Sequence, residues 1–219
     1  MPKDRTLWAV FIATFFIFAS FTALSPVLPL HVREMGGSNF DVGIIMSAFT
    51  FGVLLFRPAT SWLMTGHSRK WTLAFGSILM ALASVFYFFG DSIEFLFFTR
   101  LLHGTGLAAF TTTSIVLISD VTTPNNRGQV IATVGIANYI GLGVGPFFAD
   151  KLYNEFSIVP VFQMVLVFAV LGFLAVMIIQ RQPKPDKIEQ KKSGRYRVAL
   201  QRWFLIPSAF LFVIALVHG

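Results

Sequence analysis

The sequence contains no cysteine, which excludes disulfide cross-links, thiolate metal sites and a cysteine nucleophile. Charge is also scarce. Only 12% of the residues are charged, against about 25% in a typical soluble domain. Carboxylates are the scarcest charge, with 10 Asp and Glu against 17 Lys and Arg, and none lies in the middle of a long apolar stretch. A proton relay built on intramembrane carboxylates, the usual kind in pumps, is therefore excluded from those stretches. The pattern contains no nucleophile–base pair and no metal-ligand cluster, so an enzyme is the least supported class and no cofactor or metal is expected.

Apolar residues, by contrast, make up 55% of the chain, 26 of them Phe, and the mean hydropathy is +0.73. A soluble globule of 219 residues could not hide that surface. A bilayer-crossing helix needs about 20 mostly apolar residues. Six stretches qualify: Leu7–Leu30, Val42–Met64, Trp71–Phe89, Phe95–Ser119, Gln129–Leu152 and Ile158–Ile179. A seventh starts at Trp203 and reaches the last residue, Gly219. The breaks between them are short and carry turn residues, as at Gly36-Gly37-Ser38-Asn39 and Thr122-Thr123-Pro124-Asn125-Asn126. Runs this long lack the alternation of barrel strands, so the expected class is an all-α membrane protein. The first run is about twice the length of a signal-peptide core, and Pro26 directly after Ser25 would block cleavage there.

Basic residues are placed unevenly along the chain. Lys3 and Arg5 precede the first span, Arg69 and Lys70 follow the second, and Arg127 follows the fourth. Arg181, Lys184, Lys187, Lys191, Lys192, Arg195, Arg197 and Arg202 follow the sixth. Only Arg33 and Lys151 fall in the alternate connections. This asymmetry predicts a multi-pass protein of the cell membrane (plasma or inner) with a cytoplasmic N-terminus. It also argues against nucleic acid as a partner, because the basic cluster at 181–202 is a juxtamembrane linker without interleaved aromatics beyond Tyr196. Binding of anionic lipid headgroups is a second use for the same charges.

Some side chains are costly where they sit. Arg100 lies about six residues into the fourth span, about 9 Å deep at 1.5 Å per residue. An arginine at a helix centre costs about 2.5–3.5 kcal/mol on insertion scales, so it either snorkels or faces a polar interior. His103 shares much of its face and is the one group within the spans that titrates near neutrality in its unperturbed state. It reads either as a neutral interhelical histidine or as a proton-sensitive one. Asn138, in the fifth span, is a further polar candidate for substrate or proton coupling. Arg57, ahead of Pro58, either snorkels to the near headgroups or pairs with a carboxylate there.

Ala137, Gly141, Gly145 and Ala149 recur every four residues in the fifth span and give it a stripe without bulk. Such a stripe lets two helix backbones approach closely. Pro146 removes one backbone hydrogen bond and predicts a kink. The fourth span has a shorter stripe at Gly104, Ala108 and Thr112, in line with Arg100.

These motifs resemble the major facilitator superfamily of secondary transporters, specifically its first half. The run from Leu96 through Arg100, His103, Gly104 and Gly106 to Ala109 is similar to the family's Arg motif, with His103 where Gln is usual. Gly141 to Ala149, containing Gly145-Pro146, is similar to the motif that marks its exporters, with Ala149 replacing the last Gly. Ser25 to Pro29 resembles the end of its first span, and Asp120 to Gly128 its loop into the fifth. One stretch departs from the pattern. In the loop after the second span Leu63, Arg69 and Lys70 match, but Thr65 stands where the family has a gate-locking Asp.

The resemblance implies a six-helix half-bundle over 1–180, made of two inverted three-helix repeats. A basic cytoplasmic linker over 181–202 and the start of a seventh span over 203–219 would follow, with a second six-helix half as partner. Arg57-Pro58 and Gly145-Pro146 occupy corresponding places in the two repeats. The implied function is proton-coupled efflux of a small organic compound by alternating access. Arg57, Thr65, Arg69, Lys70, Asp120 and Arg127 would form the cytoplasmic gating loop. An uptake symporter for a sugar or organic anion is the alternative, and a truncated, non-transporting fragment is the rival from another class.

The charge asymmetry carries its own test. Single cysteines placed at Ser38 and Ser193 are expected to react with a membrane-impermeant thiol reagent from outside and from inside, respectively. Labelling of the Ser193 position from outside in intact cells would overturn the orientation.

Overall fold

The computed structural model describes residues 2–66 and 68–180, with side chains from residue 5 onward and none described at 65 and 66. The expected linker at 181–202 and the expected seventh span at 203–219 lie outside the described residues, as does the side chain of Thr65. Six α-helices account for the fold: α1 Pro2–Glu34, α2 Asn39–Gly66, α3 Arg69–Phe86, α4 Ile93–Val121, α5 Arg127–Glu155 and α6 Ile158–Ile178. There is no strand among the described residues. All six helices are long and apolar enough to cross a membrane. Together with the large apolar side chains left exposed (Phe51, Leu55, Trp62, Tyr139 and Phe147 among them), they make this a multi-pass membrane protein.

The helix boundaries follow local chemistry. At the start of α2, the Ser38 hydroxyl accepts from the Asp41 backbone N–H (3.3 Å), and the Asp41 carboxylate accepts from the Ser38 backbone N–H (2.7 Å), a capping box. Gly36, at φ +85°, makes the preceding turn in a conformation that favours glycine. Ser92 caps α4 by accepting from Phe95 N–H at 3.2 Å. The third expected span ends differently from its apolar run. Its α-helix stops at Phe86, and Tyr87–Phe89 form one tighter 3-10 turn.

The helices are arranged around α1 and α4. α1 packs mainly on α5 and α6, and α4 mainly on α2 and α3. Exchanging each helix for the one three places away turns the first set of contacts into the second, which is the symmetry of two repeated three-helix units. The prolines keep the same register: Pro58 and Pro146 each lie nineteen residues after the first residue of their helix.

Glycine sets how closely the helices approach. The buried residues of α5 are Val134, Ala137, Gly141, Gly145 and Ala149, one stripe turned against α1. A Cβ on Gly141 would stand 2.7 Å from the Phe15 carbonyl oxygen, and one on Gly145 2.7 Å from Thr22 Oγ1. On α4, Gly104 lies against the backbone of Phe49 and Val53 in α2, while Gly106 meets Gly76 in α3. Polar contacts pin α1 to α6 and to α5. Ser20 Oγ donates to the Val165 carbonyl at 2.9 Å, and Thr22 Oγ1 lies 3.3 Å from the Gly141 carbonyl.

A leucine at Gly145 would have to push α1 away from α5, and overpacking of this kind costs about 1–3 kcal/mol. Gly145→Leu is therefore expected to lower the monodisperse, detergent-extracted protein several-fold, whereas Phe148→Leu, at an exposed position, leaves it near wild type. Size-exclusion profiles and thermal unfolding measure both, and equal effects at the two positions would remove the packing argument.

Candidate functional site

Arg100 and His103 stand one turn apart in the first half of α4, and both are buried, with relative exposures of 2% and 0%. Burial at that level rules out snorkelling for Arg100. Its guanidinium is inside the bundle, covered by α2, because Gly104 admits the α2 backbone at this level. Its carbon Cζ lies 5.1 Å from the centre of the Phe49 ring, and Nη2 donates to the Met46 thioether at 3.3 Å. Nε and Nη1 find no acceptor among the described residues.

These contacts do not neutralise the charge. A desolvated cation–π contact contributes about 2 kcal/mol, and a thioether is a weak acceptor. The insertion cost of a central arginine is about 2.5–3.5 kcal/mol. The described carboxylates that find partners do so elsewhere: Asp120 pairs with Arg69 and Glu155 with Lys151, while Glu34 lies beside the His31 ring. Arg100 is thus a buried cation without an anion among the described residues, held by aromatic and sulfur contacts.

His103 completes the cluster. Its ring stands edge-on to Phe49 (centroids 5.8 Å, 89°) and to Tyr87 (5.9 Å, 61°). Nδ1 lies 3.3 Å from the Tyr87 hydroxyl, whereas Nε2 has no partner among the described residues. Tyr87, Met46 and Phe49 were not legible as site residues. Tyr87 sits among phenylalanines at 86, 88 and 89, and the single hydroxyl in that run is the one signal that could have marked it. Asn138 is half-buried on α5, with Oδ1 lacking a partner, and no described hydrogen bond or ring contact joins it to Arg100 or His103.

The loop residues gather at the other end of the bundle. Arg69, opening α3, donates from Nε to Asp120 near the end of α4 at 3.0 Å, and from Nη1 to the Met64 carbonyl at 3.0 Å. Lys70 Nζ donates to the Met177 carbonyl at 2.7 Å, tying α3 to the end of α6. Arg127 Nη2 donates to the Ser119 carbonyl at 3.0 Å. Asp120 is the carboxylate that Arg69 uses in this loop. Arg57 is exposed on α2, away from these contacts. Ala137, Gly141 and Gly145 form the packing stripe described above, and α5 continues as a helix through Pro146.

Comparison with known proteins gives one consistent result. The model of the Major Facilitator Superfamily matches residues 10–218. The chain is 24% identical over 220 residues to multidrug resistance protein 1 of Bacillus subtilis (strain 168), covering 99% of this chain and 56% of that protein. It is 22% identical over 219 residues to the quinolone resistance protein NorA of Staphylococcus aureus (strain MRSA252), covering 97% and 55%. The chain thus spans about half the length of these curated relatives. Among solved structures, the human organic anion transporter MFSD10 (TETRAN) aligns at TM-score 0.68 and 20% identity, over 83% of this chain and 48% of that one. The peptide transporter POT in complex with sulfate aligns at TM-score 0.72 and 15% identity, over 98% and 47%. A family match over nearly the whole chain, on a bundle with this repeat symmetry, leads to one conclusion: the chain belongs to the Major Facilitator Superfamily.

Proposed function

We propose that this chain is the first six-helix half of a secondary active transporter that exports a small organic compound in exchange for protons. The observation that carries the reading is the similarity, along 99% of the chain, to a protein named for multidrug resistance. A membrane transporter confers resistance by removing the compound from the cell. In this reading 181–202 is a cytoplasmic linker, 203–219 opens the second half, and the substrate site lies between the halves near the midplane. The protein sits in the cell membrane with its N-terminus in the cytoplasm.

The geometry supports a division of labour. His103 is assigned the proton-sensitive role, because the described spans have no central carboxylate. A charge appearing on His103 would be felt strongly by Arg100 in an interior of low dielectric constant. The contacts of Arg69, Lys70, Asp120 and Arg127 latch the helix ends on the cytoplasmic side in this reading. The flat crossings at Gly141 and Gly145 give the half a stiff body that rocks as a unit. Asn138 is assigned to the substrate wall, where its unpartnered Oδ1 would find an acceptor's counterpart. A second reading, uptake of an organic anion, is favoured by one observation, the absence of a described anion beside Arg100.

The test uses the complete transporter in cells and a fluorescent lipophilic cation. Efflux is expected to stop when a protonophore collapses the proton gradient. Arg100→Ala and Arg100→Lys are each expected to lower transport about tenfold or more, since lysine neither stacks as a plane on Phe49 nor presents a fork. Full transport by Arg100→Lys at normal membrane abundance would overturn the role of the fork. Gradient-driven accumulation of an organic anion, with no efflux of the cation, would replace export with the second reading.

A further inference from the structure

Tyr87 is joined to His103 by a hydrogen bond whose direction the surrounding groups determine. Its ring opens the 3-10 turn after α3 and is 2% exposed. The ring is stacked on Phe162 of α6 (centroids 5.4 Å, 27°), so the phenol has one position. Only its hydroxyl hydrogen is free to turn. The oxygen lies 3.3 Å from His103 Nδ1, and either atom could donate.

Arg100 decides which one does. Its guanidinium acts electrostatically on both the phenol and the imidazole. It has donors and no acceptor. If Nδ1–H donated to the phenol oxygen, the phenol hydrogen would need an acceptor of its own, and no acceptor other than His103 is found for it among the described residues, the Arg100 guanidinium being a donor. A buried O–H left in that state costs about 1–3 kcal/mol. If the phenol donates to Nδ1, its hydrogen is placed, and its oxygen lone pairs turn toward the positive guanidinium. The second arrangement satisfies Tyr87 and leaves one group of the pair without a partner among the described residues, Nε2–H, whereas the first leaves two, the phenol O–H and the Nε2 lone pair.

We propose that Tyr87 is a positioning residue for His103: its O–H donates to Nδ1 and holds the imidazole as the Nε2–H tautomer beside Arg100. The groups facing the imidazole are then accounted for. Arg100 on the same helix is the charged one, Tyr87 the other titratable one, and Phe49 from α2 is neutral. A neutral imidazole takes up a proton at its lone pair, and in this tautomer that lone pair is on Nδ1, under the Tyr87 hydroxyl. Uptake at Nδ1 therefore requires the phenol O–H to turn away, so that its oxygen accepts where it had donated. Tyr87 also forms part of the wall of a cleft of about 300 Å³ with His31, Asp91 and Phe162. It thus stands between that cleft and the buried cluster.

The inference concerns the histidine on which the proposed export mechanism rests, but its test reads a tautomer rather than transport. The complete polypeptide carrying this chain is labelled with 15N-histidine and placed in lipid nanodiscs at neutral pH. The His103 nitrogens are identified by their disappearance in His103→Gln. The expected result is the nitrogen pattern of a single Nε2–H tautomer, and its loss to a mixture of tautomers in Tyr87→Phe, which keeps the ring and its stacking. An Nδ1–H tautomer or an imidazolium in the wild type, or an unchanged Nε2–H pattern in Tyr87→Phe, would overturn the proposal. The wild-type signal decides the tautomer whether or not the variant folds. Either result leaves the export reading to be judged by the transport assay alone.

Discussion

The close approach of α2 to α4 at Gly104 is the contact on which the candidate site depends. A side chain there would collide with the Phe49 backbone, and α2 would have to move outward. With that approach in place, the same α2 turn lays Phe49 over the Arg100 guanidinium and against the His103 ring, and brings Met46 within donor range. A missing Cβ therefore has an electrostatic consequence. It encloses a cation in the bundle interior, where aromatic and sulfur contacts are the contacts described for it.

The pseudo-symmetry of the bundle extends this principle. The α1–α5 crossing at Gly141 and Gly145 is the counterpart of the α2–α4 crossing at Gly52 and Gly104. Both bring one backbone against another, which is how helices associate where lipid removes the hydrophobic drive between them. The two crossings differ in what they enclose. The α1–α5 contact is closed by the Thr22 hydroxyl near the Gly141 carbonyl, whereas the α2–α4 contact carries a charge and a titratable ring. One repeat contact thus encloses a hydroxyl and backbone, and its counterpart encloses a charge and a titratable ring.

The charged loop illustrates how an arrangement can absorb a substitution. Thr65 stands where the family pattern has a gate-locking Asp, so the family's gating logic does not transfer intact to this loop. Arg69 instead bonds Asp120, 51 residues away, while Lys70 reaches a backbone carbonyl at the end of α6. Both links join the start of α3 to helix ends that no spacing argument connects. Carbonyls at helix C-termini lack intrahelical donors, so a basic side chain placed beside them meets a standing demand.

Periodicity and composition by themselves determined the helices. About 20 apolar residues in a row must satisfy their backbone internally in lipid, and only a helix does that within one segment. The four-residue recurrence from Ala137 to Ala149 was equally legible, because helical geometry alone puts those positions on one face. The cost of Arg100 was legible too, but not its company. Tyr87, Met46 and Phe49 come from a turn and a neighbouring helix, 13, 54 and 51 residues from Arg100, and their convergence depends on how close α2 and the end of α3 come to α4. That distance is set by glycines on facing helices, a pairwise property that no single helix encodes. Only the packed bundle decided that the arginine is enclosed rather than snorkelling, and that a tyrosine lies within hydrogen-bonding distance of its histidine.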